Sequence, residues 1–327
     1  MLTKRTFAVL AGAAMFAAVT GTASAQNVTL RSTDIHPDGY PTIEAVKYMG
    51  QLLDQRSNGR IKINVFHSAQ LGQEKDTIEQ TRFGVIDLNR INMAPFNNLI
   101  AETNVPSLPF IFRSVDHMRK VMDGPIGDEL LKKFEAHDLI GLAFYESGSR
   151  SFYNGKRPIS TPADMKGMKI RVQQSDMFVA LVQALGANAT PMPFGEVYSG
   201  LQTGVIDGAE NNWPSFESTR HYEVSKFYSL TEHSLSPEVL VMSKRSFAKF
   251  NAADQALIKA AAKESVAKMR ELWDAREKAS EAKVRAGGAQ INTVEKQPFI
   301  DAMKPVYDKF VTDAKLKDMV AAIQAVK

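Results

Sequence analysis

Gly84-Val85-Ile86-Asp87 recurs later in the chain as Gly204-Val205-Ile206-Asp207. Each copy follows a stretch typical of a helix and continues into polar residues, followed by proline and phenylalanine. The polar residues are Asn89-Arg90-Ile91-Asn92 after the first copy and Ala209-Glu210-Asn211-Asn212 after the second. Polar groups at the carboxyl ends of parallel strands line the crevice where open α/β sheets bind ligands. The repeat therefore predicts two equivalent helix–strand units, one in each of two lobes that face one another across a cleft.

The segments around the repeat alternate between strand and helix patterns, which is typical of an α/β protein with a largely parallel sheet. Period-two alternation near the start of the chain predicts strands, and a one-sided apolar face between two of them predicts a helix. Apolar runs in the second half predict further buried strands. The expected strands are residues 27–35, 60–66, 85–92, 140–145, 149–153 and 168–172, and the expected helices are residues 42–56, 71–83, 175–185 and 251–285.

The last of these helices is longer than a small domain, because a rise of 1.5 Å per residue gives it a length of roughly 50 Å. It either packs across both lobes or contains a kink. The length of the chain is typical of two domains. We expect the first lobe to comprise residues 26–149 with about 235–277, and the second to comprise residues 150–234 with about 278–327.

The composition excludes several classes of protein. The chain has 327 residues, 44% of them apolar, and no cysteine, so it contains no disulfide, thiolate nucleophile or cysteine-ligated metal. Its six histidines are scattered, and no metal-binding, phosphate-loop or dinucleotide motif is present. We therefore expect no cofactor. A formal net charge of +4, carried by dispersed residues, does not indicate a nucleic-acid-binding protein.

The N-terminus has the pattern of a signal peptide. Lys4 and Arg5 precede a short apolar run, and Ala23-Ser24-Ala25 forms an Ala-x-Ala cleavage site. A membrane anchor is the alternative, but Gly12 and Gly21 interrupt an already short apolar segment. The sequence therefore predicts export, to the periplasm or to the medium, with cleavage after Ala25.

Two arginines are candidates for binding an anion. Arg171 lies between Ile170 and Val172 on an expected strand, so its side chain points away from theirs. A guanidinium matches a carboxylate with two parallel hydrogen bonds. The alternative is a solvated surface arginine. Arg150 lies beside another short strand and either converges with Arg171 on one anion or forms a structural salt bridge.

Four more polar residues are candidates for contacts with a ligand. Asn211 offers two donors and an acceptor for hydroxyl or carboxylate groups, or it starts the following helix. Glu74 either accepts hydrogen bonds from ligand hydroxyls or favours a helix start through the helix dipole. Arg90 points into the cleft or pairs with Asp87, and His36 is a ligand donor or an ordinary loop histidine.

Three residues are weaker candidates. Phe194 is expected to supply an apolar wall or to pack in the core. Glu238, which follows a Ser-Pro pair, is expected at a hinge or at the rim of the cleft. Trp213 is close enough in sequence to Asn211 to stack on the face of a sugar.

These residues lie in motifs that resemble the DctP family, the periplasmic substrate-binding proteins of TRAP transporters. The resemblance covers essentially the whole mature chain, and the segment that ends in Arg171 is its most specific part. The motifs are His36-Pro37-Asp38-Gly39-Tyr40-Pro41, Gln70-Leu71-Gly72-Gln73-Glu74, Val105-Pro106-Ser107-Leu108-Pro109-Phe110-Ile111-Phe112, Met165-Lys166-Gly167-Met168-Lys169-Ile170-Arg171 and Asp207-Gly208-Ala209-Glu210-Asn211-Asn212.

The resemblance implies a two-lobe, type II-like periplasmic binding protein fold, with a hinge between the lobes and a long helix spanning both. It implies that the lobes close on an organic acid held by a binding arginine at Arg171, a second arginine at Arg150, an amide at Asn211 and a carboxylate at Glu74. It also implies delivery of that acid to a membrane permease of small and large subunits, driven by an ion gradient.

The segments around His36, Arg90 and Asn211 look like the members that bind hexuronates such as glucuronate and galacturonate. A physical argument agrees, because Glu74 would repel the second carboxylate of a C4-dicarboxylate, whereas a sugar acid offers one carboxylate and several hydroxyls. A dicarboxylate, a keto acid and sialic acid remain alternatives. An exported uronate lyase with His36 or Glu74 as base is a further one, but no acid–base motif supports an enzyme.

Overall fold

The computed structural model describes residues 27–327, so the expected signal peptide and its cleavage site after Ala25 lie outside the described residues. Within that range nine strands form one mixed sheet, in the order β2-β1-β3-β8-β4-β7-β5-β6, with β9 paired to β8. The strands are β1 (Val28–Thr33), β2 (Ile61–Phe66), β3 (Leu88–Asn92), β4 (Leu139–Asn154), β5 (Lys169–Val172), β6 (Asn188–Pro191), β7 (Gly208–Asn211), β8 (Phe227–Ser243) and β9 (Gln290–Thr293).

Helices cover this sheet, as the α/β pattern predicts. The α-helices are α1 (Pro41–Arg56), α2 (Glu74–Arg82), α3 (Asn104–Ser107), α4 (Val115–Asp123), α5 (Pro125–Lys133), α6 (Asp176–Ala184), α7 (Val197–Thr203), α8 (Trp213–Ser218), α9 (His221–Val224), α10 (Lys244–Phe247), α11 (Ala252–Ala286), α12 (Gln297–Asp301), α13 (Lys304–Phe310) and α14 (Ala314–Ala325). Short 3₁₀ turns lie at Ala94–Phe96, Ala101–Thr103, Phe134–His137, Pro162–Met165 and Phe194–Glu196.

The sheet has two parallel halves joined by two long antiparallel strands. In the first half β1 pairs in parallel with β2 and β3, and in the second β5 pairs in parallel with β6 and β7. Strands β4 and β8, of 16 and 17 residues, pair with each other along most of their length. Strand β3 pairs with the end of β8, while β7 pairs with the end of β4. The two long strands therefore run through both halves.

Strand β4 differs from the expectation of two separate strands at residues 140–145 and 149–153. The intervening Glu146-Ser147-Gly148-Ser149 has turn-like composition, but here it forms an irregularity within one strand, where the register with β8 shifts. Gly148 takes a positive φ of 58°, a conformation that glycine adopts without strain. The interruption is thus a bulge in a continuous strand, which local composition does not distinguish from a turn.

Helix α11 is uninterrupted over 35 residues. It begins where Asn251 Oδ1 accepts a hydrogen bond from the Asp254 N–H at 2.9 Å, and it ends at Gly287. Its first part packs on α1, and its second part packs on α8 in the other half of the molecule. Of the two alternatives for this segment, the structure supports a helix that spans both halves.

The core of the first half lies between α1, α11 and the sheet. Trp273 of α11 is almost fully buried there, and its ring meets Tyr40 edge-on with centroids 6.0 Å apart. This packing fixes the loop between β1 and α1, which carries His36, against the long helix. No helix among residues 27–327 has the length and apolar character needed to cross a membrane.

Candidate functional site

The six predicted site residues line one cavity of about 290 Å³ between the two halves of the sheet. The fold brings them together because the carboxyl ends of β1, β3, β5 and β7 all point at this space. Phe194 and Glu238 line the same cavity. The six residues are His36, Glu74, Arg90, Arg150, Arg171 and Asn211. Their positions agree with the prediction, and their contact with a ligand stays a prediction.

Arg171 is a buried cation without an acidic partner. Its side chain is nearly inaccessible between Ile170 and Val172, so it is not the solvated surface arginine of the alternative interpretation. Nε and Nη2 donate to the Met192 carbonyl at 3.0 and 2.8 Å, which fixes the plane of the guanidinium. Within residues 27–327 no carboxylate lies within 4.0 Å of it, and Nη1 has no hydrogen-bond partner. Burial lowers the pKa of Arg171 because nothing nearby fully replaces the lost hydration.

Arg150 forms the structural salt bridge of one interpretation and also lines the cavity, while its contact with an anion stays a prediction. Nη2 donates to Glu210 Oε1 at 2.8 Å, and Nη1 donates to Asn211 Oδ1 at 3.0 Å. Burial opposes ionisation of Glu210, but Arg150 and His233 outweigh it and lower the pKa of Glu210 to about 2. Arg150 is therefore neutralised within the wall, and Arg171 is the cation beside it that remains uncompensated.

Arg90 does not pair with Asp87. Its Nε donates to Asp34 Oδ2 at 2.8 Å and its Nη2 donates to the other oxygen of that carboxylate. Its Nη1 lies 3.1 Å from Glu238 Oε2 and 3.4 Å from Glu74 Oε1. One guanidinium thus contacts three carboxyl groups at the cavity wall, so acidic groups outnumber cations on this side of the cavity.

Glu74 lies at a helix start and also at the cavity, and its contact with ligand hydroxyls stays a prediction. It is the first residue of α2, and its carboxyl group lines the cavity. Its Oε1 accepts the Asn92 backbone N–H at 3.0 Å. Burial raises the pKa of Glu74, and it raises the pKa of Glu238 to about 7. The rim position expected for Glu238 is corrected by the structure, because its side chain is only 2% exposed and forms part of the cavity wall. Its place in β8 leaves the hinge position a prediction.

His36 presents a neutral ring to the cavity. It stacks on Tyr40 with centroids 3.8 Å apart, and the ring of Phe194 meets it edge-on at 5.4 Å. Burial and the nearby Arg90 lower the pKa of His36 to about 3. Its Nδ1 has no partner in the described part of the chain. The buried ring therefore has a nitrogen left to form a hydrogen bond, whereas water hydrates both ring nitrogens of an ordinary loop histidine.

Asn211 ends β7 and does not cap the next helix. Asn212 does so instead, since its Oδ1 accepts the Ser215 N–H at 2.8 Å. The Asn211 Oδ1 accepts from Arg150 and from the Asn212 N–H, which leaves its Nδ2 as a donor toward the cavity. The stacking role expected for Trp213 is wrong, because that ring stacks on Tyr228 at 4.1 Å and lies outside this cavity.

Sequence reasoning missed four polar residues of the wall, namely Asn92, Gln173, Asn212 and Ser215. Two of them had a detectable signal, because Asn92 and Gln173 each follow a predicted arginine by two residues, and alternate residues of a strand share a face. Hydrogen bonding orients the Gln173 amide with its oxygen 3.0 Å from Arg150 and its nitrogen 2.9 Å from Asn92 Oδ1. Ser215 had no such signal.

Contacts between the two halves enclose the cavity. Tyr40 Oη and Ser215 Oγ are 3.0 Å apart, and the Gly195 N–H donates to the Gln73 amide oxygen at 3.3 Å. The side chains of Asn97 and Ser175 meet at 2.9 Å. Across residues 27–327 no grouping of histidine and acidic side chains suits a metal ion. The site is thus an enclosed polar cavity, with one unpaired cation on one wall and clustered carboxyl groups on the other.

Comparisons with known proteins identify close relatives of this chain. The family model for DctP, described as bacterial extracellular solute-binding protein family 7, matches residues 33–313. A TRAP periplasmic solute-binding protein from Bradyrhizobium sp. BTAi1, solved in complex with α/β-D-galacturonate, is 56% identical, with a TM-score of 0.90 over 91% of this chain and 99% of that one. One from Roseobacter denitrificans, with bound β-D-glucuronate, is 42% identical, with a TM-score of 0.89 over 92% of this chain and 100% of that one. A solute-binding protein of Chromohalobacter salexigens is 42% identical over 95% of this chain and 93% of its own length.

Proposed function

The chain belongs to the DctP family of bacterial extracellular solute-binding proteins, and we propose that it captures a hexuronate for a TRAP transporter. The solved relatives support this proposal, because they hold galacturonate or glucuronate in the same fold at high structural similarity. The single observation that carries it in this chain is Arg171, a buried guanidinium that faces the cavity without an acidic partner.

Arg171 is the proposed carboxylate-binding group. The Met192 carbonyl fixes the plane of its guanidinium, and Nη1, which has no hydrogen-bond partner among residues 27–327, remains to donate to a ligand in the cavity that Arg171 lines. An arriving carboxylate supplies the counter-charge that the buried cation lacks, and each charge-assisted hydrogen bond contributes about 1.5–3 kcal/mol. Arg150 lies beside it, but Glu210 already balances its charge.

The opposite wall suits hydroxyl groups better than a second carboxylate. Glu74 and Glu238 present carboxyl oxygens, and His36 and Asn211 present neutral groups that hydrogen-bond to hydroxyls. A second carboxylate of a C4-dicarboxylate would meet the acidic cluster and be repelled.

Closure of two lobes would trap the acid. We assign residues 26–149 with about 235–277 to the first lobe, and residues 150–234 with about 278–327 to the second. Strands β4 and β8 connect them and are the proposed hinge, since closure needs elements that continue from one body to the other. The closed form is the one that the small and large subunits of the membrane permease would receive, in the periplasm after cleavage at Ala25.

A binding protein also accounts for the site better than a uronate lyase does. A lyase requires a base that takes a proton from carbon and an acid that returns it. His36, with its lowered pKa, is neutral but stacked face-on against Tyr40, and Glu74 is tied to the Asn92 N–H. Assays for an unsaturated uronate product, followed by absorbance, test this alternative directly.

The decisive experiment is titration calorimetry of Arg171→Met with D-glucuronate and D-galacturonate. We expect affinity to fall roughly 100-fold or more, because the ligand carboxylate would be buried without its cation. The matched control is Arg56→Met, an arginine of α1 that pairs with Glu264 at the surface and is remote from the cavity. Near-normal affinity in Arg171→Met would remove this residue from the mechanism.

A thermal-shift panel tests the class of ligand independently. Ligands that bind the native state raise the melting temperature by mass action. We expect the largest increases with the two hexuronates, smaller ones with keto acids and sialic acid, and none with succinate. A larger increase with succinate than with either hexuronate would contradict the proposal, and so would a flat response to every acid.

A further inference from the structure

We propose that Glu238 carries a proton in the ligand-bound protein, so that capture of the acid takes up a proton and Glu238 contacts a ligand hydroxyl as a neutral carboxylic acid. This inference rests on the proposed function, because it assumes that an anionic sugar occupies the cavity. Glu238 would contribute to specificity, because it hydrogen-bonds to ligand hydroxyls and makes the affinity for an anion depend on pH.

Arg90 divides its N–H donors among three carboxyl groups. A guanidinium has five N–H groups in a fixed fork. Nε and Nη2 serve Asp34, and only Nη1 remains for both Glu74 and Glu238. One positive charge thus faces three enclosed carboxyl groups, and a buried carboxylate without sufficient compensation becomes protonated rather than staying charged.

The hydrogen bonds indicate which of the three takes the proton. Asp34 is the most strongly bound, since it also accepts from the His36 N–H at 2.9 Å and from Thr42 Oγ1 at 2.8 Å. Although burial opposes it, Arg90 keeps the pKa of Asp34 below its ordinary value. Asp34 therefore remains the ionised partner of Arg90.

Glu74 and Glu238 differ in how well their oxygens are satisfied. Glu74 accepts a backbone N–H from Asn92 at 3.0 Å. Glu238 receives only the Asn92 amide, at 3.5 Å, and its Oε2 lacks a well-aligned donor in the described residues although Arg90 lies 3.1 Å away. Glu238 is thus the least stabilised carboxylate of the three, and burial raises its pKa to about 7.

Groups on every neighbouring element bear on this proton. Acidic groups that disfavour the charged form of Glu238 are Asp34 at the end of β1 and Glu74 of α2. Arg90 of β3 favours that form, while Arg150 of β4 is already paired with Glu210. The remaining titratable neighbours are neutral: His36 by its lowered pKa, and the hydroxyls of Tyr40 and Tyr145, whose pKa values are raised by burial.

An anionic ligand shifts this balance further toward the protonated form. Its carboxylate neutralises Arg171 but adds negative charge to the cavity that Glu238 faces, so the pKa of Glu238 rises on binding. Proton uptake is therefore expected at pH values between the ligand-free and ligand-bound pKa of Glu238. In that window, from about pH 7 upward, affinity falls with rising pH by up to about tenfold per pH unit for one linked proton.

The protonated form also explains how an acidic wall tolerates an anion. A neutral carboxyl group has one O–H donor and an acceptor oxygen, so it pairs with a sugar hydroxyl in either direction. An ionised Glu238 only accepts hydrogen bonds and would repel the ligand.

The test is titration calorimetry of the mature protein with D-galacturonate and D-glucuronate, in two buffers of different ionisation enthalpy, from pH 6 to pH 8.5. The dependence of the observed enthalpy on the buffer gives the number of protons taken up. We expect uptake approaching one proton per ligand above pH 7. Zero uptake across the range would overturn the proposal, whereas no binding at any pH would overturn the proposed function instead.

Three variants locate the proton. In Glu238→Gln we expect the uptake to disappear whatever the affinity, and in Glu74→Gln we expect it to persist. Glu277→Gln is the matched control, because burial also raises the pKa of Glu277 to about 7 but that residue lines a different cavity. If proton uptake is lost in Glu74→Gln or Glu277→Gln but kept in Glu238→Gln, the proton binds to another group and the proposal is wrong.

Folding of each variant is checked by thermal unfolding. If Glu238→Gln does not fold, difference infrared spectroscopy of the unsubstituted protein replaces it. A protonated-carboxyl band that grows on addition of galacturonate at pH 8 supports the inference, and its absence refutes it.

Discussion

The two copies of the Gly-Val-Ile-Asp repeat lead into strands with the same position in the fold but opposite electrostatics. Strand β3 places Arg90 beside Asp34, Glu74 and Glu238. Three carboxyl groups there surround one positive charge. In the other half, β7 and its neighbour β5 border a wall where Arg171 has no acidic partner. The difference shows that a repeated backbone arrangement fixes where a cavity forms, while the side chains decide which end of a ligand each wall receives.

The sharpest test of this comparison is the effect of each arginine on stability without ligand. Arg90→Met leaves three buried carboxyl groups without their cation, and we expect the free energy of unfolding to fall by about 3–5 kcal/mol. Arg171→Met removes a buried charge that lacks an acidic partner, so we expect the free energy of unfolding to stay constant or rise. Denaturant unfolding of both ligand-free variants measures the difference.

Arg56→Met again serves as the control, with an expected change within about 0.5 kcal/mol because its ion pair is at the surface. If the free energy of unfolding fell equally in Arg90→Met and Arg171→Met, both arginines would be structural, and the two walls would not differ in this respect.

The sequence predicted the second wall better than the first. Arg171 was identifiable because its apolar neighbours on a short strand predict the direction of its side chain, although not its burial, and the repeat predicted the cavity. Arg90 was found, but its partner was not. Asp34 directly follows β1, a strand distant in sequence from Arg90, and the parallel pairing of β1 with β3 brings the two residues together.

Glu238 shows a second limit of sequence reasoning. A Ser-Pro-Glu segment is typical of a loop or rim, yet here it lies within β8, where Pro237 and Glu238 pair with β4. The proline is accommodated because the register of the two long strands is irregular at this point. Composition over a few residues does not report such long-range pairing, which also explains why β4 was expected as two strands.

The acidic wall predicts a characteristic pH dependence of stability. The pKa of Glu238 is about 7 in the folded protein, against an ordinary value of 4.5, so between these values the folded state holds a proton that the unfolded state has lost. Its contribution to stability is therefore complete below about pH 4.5 and decreases as pH rises toward 7. One proton gives a slope of up to about 1.4 kcal/mol per pH unit.

Glu238→Gln should remove this slope from the free energy of unfolding of the ligand-free protein. Urea unfolding at several pH values between 4.5 and 7 compares it with the unsubstituted chain. Parallel curves for the two proteins would mean that Glu238 titrates normally, and the first wall would then be an ordinary ion-pair cluster.

The smallest expected effect concerns Phe194, an aromatic side chain that touches both walls. The centroid of its ring lies 5.9 Å from the Arg171 guanidinium carbon, and the ring also meets His36 of the first half edge-on. A cation–π contact contributes about 0.5–1 kcal/mol where it is partly exposed. Phe194→Ala should therefore weaken hexuronate binding only severalfold, and Phe194→Leu should weaken it less if apolar shielding of Arg171 is what matters. If calorimetry gives equal losses of affinity for both variants, the effect belongs to the aromatic ring itself. A loss of affinity as large as that of Arg171→Met would mean that Phe194 holds the two halves together.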